Sequence, residues 1–240
     1  VVDSSVLGRP EHGHVGIWNQ GATCYLNSIT QALCSDIEFR NALFALDAED
    51  GSVTKELQRL CAQLNNSDQL AVSTKGLTTA FGWKNGQAHE QHDAHEMFSL
   101  LIDSLSGENA KSLFEAKVKD CLVCPTCTNA QSNASSCYTI SVDIPDQTNT
   151  VADTEPKDDA VLDNNGHTFS KLTELLQSYY EPEELDVDNK WNCEKCDAKV
   201  QATKSQVMET FPNKLMIQLK RFRFDPVRAK YVFDHTFCYI

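Results

Sequence analysis

Cys24 lies in the segment NQGATCYLNSI, where a polar turn leads into residues with helical periodicity. Leu26, Ile29 and Leu33 recur at helical spacing, so we expect a helix that begins at the cysteine. The free N–H groups and the dipole at a helix N-terminus favour a thiolate over a thiol. A thiolate in an exposed turn can attack a carbonyl carbon and form a thioester. The segment therefore predicts a nucleophile, and the alternative is a small core residue.

Four of the ten cysteines form two C-x-x-C pairs, Cys124 with Cys127 and Cys193 with Cys196. Two pairs of this spacing let four thiolates bind one ion tetrahedrally, the arrangement that suits Zn²⁺. Because such a shell leaves no open position, we expect a structural zinc ion and not a catalytic one. Cys121 stands three residues before Cys124, so it is an alternative partner for that residue. The four cysteines could also be unrelated free thiols.

The other six cysteines show no obvious pairing scheme. Together with the metal-type pairs, they indicate a reducing compartment, cytoplasm or nucleus, and not a disulfide framework. Cys34 and Cys61 fall within apolar helical stretches, where we expect buried thiols with a raised pKa.

Charge and hydropathy exclude several classes of protein. The net charge is −13 and no basic stripe is present, which argues against a nucleic-acid partner. An acidic surface fits solubility alone, or electrostatic steering of a basic macromolecule. No apolar run approaches the ~20 residues of a membrane span, and the N-terminal residues show no signal peptide.

Helical patterns fill the first part of the chain, and alternating patterns typical of strands follow Gly107. Ser35 and Glu38 fit a capping box for the second helix. Residues 145–166 are acidic and poor in large apolar side chains, which is typical of a mobile loop. Helices first and strands second indicate an α+β architecture. Helices are predicted over 24–34, 35–46, 53–64, 91–105 and 169–180, a helix or turn over 73–83, and strands within 113–127, 136–145 and 190–224.

Several segments together resemble the catalytic domain of the ubiquitin-specific proteases, which are papain-like deubiquitinases. GIWNQGATCYLNSITQAL resembles the cysteine box of that family. FGW followed by EQHDAHEMFSLLIDSL resembles its glutamine/aspartate box, in the form found in the subgroup of the herpesvirus-associated ubiquitin-specific protease. YYEPEELDVDNKWNCEKCDAKVQATKSQ and FPNKLMIQLKRFRFD resemble the second zinc pair and the strand after it. The resemblance extends over nearly the whole chain.

The resemblance implies a helical thumb, a β-sheet palm and zinc-tipped β fingers that grip ubiquitin. Residues 1–105 would be the thumb with the cysteine box, and residues 106–240 the fingers and the first part of the palm. The family pattern also selects Cys124 and Cys127 as the first zinc pair, which leaves Cys121 spare.

Roles for individual residues follow from the same resemblance. Cys24 would be the nucleophile, and the side chain of Asn19 would donate to the oxyanion of the tetrahedral intermediate. The alternative for Asn19 is a turn residue that bonds its own backbone.

Gln91, Asp93 and Glu96 match the second box of the family. The two carboxylates, one turn apart on a helix face, would bind the arginines of the ubiquitin tail by charge-assisted hydrogen bonds. The alternative is a solvated helix face. His95 stands where the family often has glutamine, so the contact that this glutamine makes in the family is not assigned to His95.

The catalytic histidine of the family lies in a Gly-His-Tyr-type stretch that would follow Ile240. We therefore expect this chain to be the N-terminal portion of a catalytic domain and an inefficient enzyme by itself. Two functions are compatible with the sequence. One is a deubiquitinating thiol protease acting on ubiquitinated proteins, and the other is a ubiquitin-binding module without turnover. The oligomeric state is left open.

Overall fold

The computed structural model describes residues 13–83, 88, 90–144, 169–186, 188–225, 230–233 and 237–239. The chain divides into two compact units between Phe114 and Glu115. Helices dominate the first unit and strands the second, so the α+β class expected from the sequence is confirmed. Residues 145–166, with the predicted mobile loop, lie outside the described residues.

The elements of the first unit are β1 (Gly16–Ile17), α1 (Cys24–Ser35), α2 (Ile37–Phe44), α3 (Val53–Asn66), β2 (Ala71–Val72), α4 (Lys75–Ala80) and α5 (Ala94–Asp103). The unit is built around α1, which packs against α2, α3 and α5. Its core includes the fully buried side chains Leu26, Phe39, Leu57, Phe98 and Leu101. A short parallel pair, β1 with β2, joins the segment before α1 to the segment before α4.

Capping side chains set where the helices of this unit begin. The Ser52 hydroxyl accepts a hydrogen bond from the N–H of Lys55 at the start of α3. At α2 the cap is Asp36, whose carboxylate accepts from the N–H of Phe39 at 2.7 Å. The predicted capping box of Ser35 with Glu38 is therefore wrong by one residue. Ser35 is the last residue of α1. Asp36, one position later, has the extended backbone that an N-cap requires, and its side chain makes the cap bond.

A disulfide between Cys34 and Cys61 joins α1 to α3. This corrects the expectation that both are buried thiols in a chain without disulfides. Both side chains are buried, as expected, but their Cα atoms lie only 5.1 Å apart. Helical periodicity shows that each cysteine faces a core, but it does not show that the two meet.

Four strands of the second unit form one sheet, namely β3 (Ala116–Val123), β4 (Ala130–Cys137), β7 (Glu183–Glu184) and β10 (Thr203–Thr210). Their order in the sheet is β4-β3-β10-β7. β3 and β4 form an antiparallel hairpin in which Ala116 lies opposite Cys137 and Val123 opposite Ala130. The sequence pattern does not predict β4, because its residues AQSNASSC are small or polar and almost all exposed.

A second core forms where α6 (Leu172–Tyr180) packs on β5 (Ile140–Asp143). β5 pairs in parallel with β11 (Ile217–Lys220). The buried side chains of this second core are Ile140, Val142, Ile144 and Leu175. The remaining described strands form three further pairs, β6 (Phe169–Lys171) with β14 (Phe237–Tyr239), β12 (Phe222–Asp225) with β13 (Lys230–Phe233), and β8 (Trp191–Cys193) with β9 (Ala198–Val200).

Membrane-spanning length and hydropathy do not occur together in any helix of the described part of the chain.

Candidate active site and metal centre

Cys24 is the first residue of α1, as the sequence predicts, and its side chain is exposed. The N-cap is Thr23, which is completely buried and makes no side-chain cap bond. The hydroxyl of Thr23 instead donates to Asn19 Oδ1 at 3.2 Å. The N-terminal N–H groups of α1 are thus left uncapped by Thr23 beside the thiol.

Asn19 folds its side chain back onto the turn that precedes α1. Its Oδ1 accepts from the N–H groups of Gly21 at 2.9 Å and Thr23 at 3.1 Å, in addition to the Thr23 hydroxyl. Three donors on the oxygen fix the orientation of the amide and leave the Nδ2 group to donate elsewhere. The two roles considered for Asn19 therefore use different atoms and are compatible with each other.

The turn between Asn19 and Cys24 is held in a defined shape. Gly21 has a φ of 137°, a backbone conformation that side-chain-bearing residues rarely adopt. The N–H of Ala22 donates to the carbonyl of Ala88 at 2.8 Å. This bond ties the cysteine turn to the segment that leads into the second box.

Tyr25 connects the two boxes from inside the unit. Its ring is 5 % exposed and meets the ring of His92 edge-on, with centroids 5.4 Å apart. Trp83 packs on it at 6.3 Å. Burial raises the pKa of Tyr25, and the charges of Cys24 and Glu90 add to this effect. The phenol therefore stays neutral beside the thiol at ordinary pH.

The second box lies at the start of α5. Gln91 and Glu96 are exposed, and Asp93 is partly buried. Asp93 is the N-cap of α5, and its carboxylate accepts from the N–H of His95 at 2.6 Å. Asp93 is thus one position before the first helical residue, and Glu96 lies three residues later, in the first turn of α5. An N-cap carboxylate is favoured there because it satisfies an otherwise unpaired N–H.

In the second unit the four predicted metal ligands come together. Each offers a sulfur, and the four sulfurs all lie within 4.8 Å of one another. The Sγ atoms of Cys124 and Cys196 are 3.8 Å apart, and those of Cys127 and Cys193 are 3.6 Å apart. Sulfurs about 2.3 Å from a tetrahedral ion would be separated by about 3.8 Å. The cluster fits a tetrahedral metal ion.

The two pairs occupy equivalent turns. Cys124 and Cys127 lie in the turn of the β3–β4 hairpin, and the β8–β9 hairpin carries the other pair. The residue after each second cysteine, Thr128 or Asp197, has a positive φ, of 55° and 48°. Cys121 lies within β3, opposite Ser132 and Ser205, and is outside the cluster. The structure therefore groups Cys124 with Cys127, as the resemblance implies.

The turn also prepares Cys124 to be a thiolate. The backbone N–H of Cys127 lowers the pKa of Cys124 to about 6, with smaller help from that of Thr126. The pKa of Cys196 is raised, chiefly because the thiol of Cys196 makes a hydrogen bond with the sulfur of Cys127, and its proton is shared with the other neighbouring sulfurs. Without an ion, four thiolates so close together would repel one another, and a divalent cation removes that repulsion.

No motif in the sequence singles out Thr23 and Tyr25, which flank Cys24. Both are buried, and both organise its surroundings. Their position on either side of Cys24 is the signal that could have drawn attention to them.

A family profile described as Ubiquitin carboxyl-terminal hydrolase matches residues 15–236. The chain is 33 % identical to Ubiquitin carboxyl-terminal hydrolase 47 of Xenopus tropicalis, over 92 % of this chain and 16 % of that protein. It is 35 % identical to human Ubiquitin carboxyl-terminal hydrolase 40, over 93 % of this chain and 18 % of that protein. It is 31 % identical to Ubiquitin carboxyl-terminal hydrolase 7 of Drosophila melanogaster, over 90 % of this chain and 18 % of that protein.

The chain thus spans less than a fifth of the length of these relatives. Its match to the family nevertheless covers almost all of its own residues, including the turn that carries Cys24 and the four clustered cysteines. On this evidence the chain belongs to the ubiquitin carboxyl-terminal hydrolase family.

Proposed function

We propose that this chain is part of a deubiquitinating thiol protease that hydrolyses isopeptide or peptide bonds at the C-terminus of ubiquitin. The observation that carries the proposal is the arrangement of Cys24 and Asn19. An exposed thiol stands at a helix N-terminus, five residues after an amide whose oxygen is fully engaged. Family membership supplies the ubiquitin substrate.

In the first half of the reaction the Cys24 thiolate attacks the carbonyl carbon at the ubiquitin C-terminus. The carbonyl oxygen becomes an oxyanion, to which Asn19 Nδ2 and the N–H of Cys24 donate. Collapse of this intermediate breaks the C–N bond, and the amine leaves with a proton from a general acid. A thioester between Cys24 and ubiquitin remains.

In the second half a water molecule, deprotonated by the same group, attacks the thioester. The second oxyanion is stabilised by the same donors, and its collapse frees the Cys24 thiolate and the ubiquitin carboxylate. The resemblance assigns this acid–base role to a histidine that is not among His14, His92 and His95 of the described residues. Bonds and protons balance over the two half-reactions, and neither half involves a change of oxidation state.

Recognition of the ubiquitin tail is assigned to the second box. Its acidic groups, Asp93 and Glu96, lie in the same unit as Cys24, and the Tyr25–His92 ring contact joins the two boxes. Carboxylates bind arginine by charge-assisted hydrogen bonds, and exposed Gln91 can hydrogen-bond an extended backbone. The acidic net charge of −13 further favours a basic partner.

For the metal centre we propose Zn²⁺ bound by Cys124, Cys127, Cys193 and Cys196. Four thiolates and the sulfur spacing support zinc over harder cations. Zinc would join the two hairpin turns and take no part in catalysis, because four protein ligands leave no open position. We place the protein in the cytoplasm or nucleus, where the four clustered thiols would stay reduced and free to bind the ion.

The test is turnover of ubiquitin bearing a fluorogenic C-terminal amide by the full-length protein. We expect Cys24→Ala to abolish turnover, and Asn19→Ala to lower kcat about 10²–10³-fold with little change in KM. Cys121→Ser is the matched control, a cysteine outside both sites, and should keep wild-type kinetics. Turnover that survives Cys24→Ala would refute the proposal. A wild-type protein that binds ubiquitin tightly but never cleaves it would favour the alternative, a ubiquitin-binding module.

A further inference from the structure

Gln20 lies between Asn19 and Gly21, yet its side chain points away from the turn and reaches the start of α4. Its Nε2 donates to Thr74 Oγ1 at 2.7 Å, across 54 residues of sequence. Thr74 is 1 % exposed and Gln20 is half-buried, so this bond is partly shielded from water. It is costly to break at the Thr74 end, because that hydroxyl would lose its partner in the interior.

The hydroxyl of Thr74 accepts the hydrogen bond from Gln20 and does not cap α4. Thr74 is the N-cap of α4, a position where a threonine side chain ordinarily accepts from the helix N–H groups. Here no side-chain cap bond forms. The N–H of Lys75 instead donates to the Ser73 hydroxyl at 3.2 Å, so the Thr74 hydroxyl is available to accept from Gln20.

Thr78, one turn later, makes a weaker contribution. Its hydroxyl is 3.4 Å from Gln20 Oε1 and 3.1 Å from the carbonyl of Lys75. The single hydroxyl hydrogen can serve only one acceptor at a time, and the carbonyl is nearer. Thr74 is therefore the principal partner of Gln20.

The same glutamine is also bonded into the nucleophile turn. Its backbone N–H donates to Thr23 Oγ1 at 3.1 Å, and that hydroxyl donates to Asn19 Oδ1. A continuous chain of hydrogen bonds thus runs from Thr74 through Gln20 and Thr23 to Asn19. Its far end is the amide group proposed to stabilise the oxyanion.

We propose that Gln20 is a positioning residue, which clamps the nucleophile turn to the N-terminus of α4 and so sets the geometry of Asn19 and Cys24. We call the bonded residues Gln20, Thr74 and Thr78 the α4 clamp. This inference rests on the proposed function, because the clamp matters only if Cys24 and Asn19 perform the chemistry. Small displacements of reacting groups cost large factors in rate, so a turn that carries both groups needs firm support.

The experiment compares two reactions of Cys24 in the full-length protein. The first is labelling by ubiquitin carrying a C-terminal electrophile, which requires the thiolate to be positioned at the end of the bound ubiquitin tail. The second is alkylation by iodoacetamide, followed at Cys24 by mass spectrometry, which requires an accessible thiolate but no bound ubiquitin. We expect Gln20→Ala and Thr74→Val each to slow ubiquitin labelling about tenfold, the factor that corresponds to one lost hydrogen bond. Iodoacetamide alkylation should change less than about twofold.

Three further variants separate positioning from stability. Thr74→Ser keeps the acceptor hydroxyl and should restore the labelling rate. The double variant Gln20→Ala/Thr74→Val should be no slower than either single variant, because both remove the same bond. Gln31→Ala is the matched control, since Gln31 Nε2 also makes one side-chain bond, to the carbonyl of Val15 at 2.8 Å, outside the turn. It should label at the wild-type rate.

The outcomes are distinguishable. Wild-type labelling rates in Gln20→Ala and Thr74→Val would overturn the clamp, and so would equal slowing in Gln31→Ala, which would point to general loss of stability. In both of these cases labelling still depends on Cys24, so the proposed function stands. Labelling that persists unchanged in Cys24→Ala would overturn the proposed function, and the clamp with it.

Discussion

At the scale of single residues, Asp93 has two tasks that substitutions can separate. Its carboxylate accepts from the N–H of His95 and so begins α5. In the proposed function the same carboxylate also binds an arginine of the ubiquitin tail. Glu96 is exposed in the first turn of the same helix and has no capping bond of this kind to lose. The pair therefore separates binding from stability.

Glu96→Ala should weaken ubiquitin binding roughly tenfold, because one charge-assisted hydrogen bond is removed. Its unfolding midpoint should hardly move. Titration calorimetry and thermal melting of the full-length protein would measure both quantities. Unchanged affinity would exclude Glu96 from the binding site.

Asp93→Ala should lose affinity by a comparable factor and in addition lower the free energy of unfolding by about 1 kcal/mol, the usual value of an N-cap. Asp36→Ala is the matched control, because Asp36 caps α2 in the same way. It should show the stability loss with no loss of affinity. If the two variants behaved alike, Asp93 would be a structural cap only.

At the scale of elements, periodicity and spacing in the sequence predict much of the first unit and the metal cluster of the second. α1 begins at Cys24 because the apolar face starts there, and the four metal ligands are found from the C-x-x-C spacing. Contacts that depend on distant partners escape prediction. The β1–β2 pair is two residues long on each side, and the Cys34–Cys61 disulfide depends on how two helices cross. The clamp of Gln20 on Thr74 is hidden for the same reason.

The disulfide should stabilise the helical unit, since it closes a long loop in the unfolded chain. For a sequence separation of 27 residues, the chain-entropy model gives about 3–4 kcal/mol. Urea unfolding with and without reductant should show this difference. The variant Cys34→Ala/Cys61→Ala should be insensitive to reductant. A mass spectrum of the oxidised protein with both thiols free would contradict the pairing.

The proposed zinc centre is expected to hold the two hairpin turns together and to affect little else. Elemental analysis should find about one zinc ion per chain, lost in Cys193→Ser and kept in Cys121→Ser. After chelation, hydrogen exchange should quicken in the β8–β9 hairpin and at residues 124–129, because their cross-link is gone. Helices α1 to α5 should keep their protection. Full zinc in Cys193→Ser, or uniform loss of protection, would refute this assignment.

At the scale of the whole molecule, the two units carry different parts of the proposed function. The first contains Cys24, Asn19 and the acidic second box, and the other contains the metal cluster. The sequence predicts both groups of residues, because each has a local spacing that only a few chemistries require. It does not predict that Thr23 and Tyr25 organise the surroundings of Cys24, because their burial arises from packing.

The central claim is that Cys24 is the nucleophile, and the most direct test is to locate a covalent adduct. The full-length protein would be treated with ubiquitin bearing a C-terminal electrophile, digested, and analysed by mass spectrometry. Cys24 should be labelled fastest among the cysteines, since it is exposed at a helix N-terminus while the others are paired, clustered or within strands. We predict an adduct on Cys24 that disappears in Cys24→Ala. An adduct on any other cysteine, or one that persists in that variant, would contradict the account.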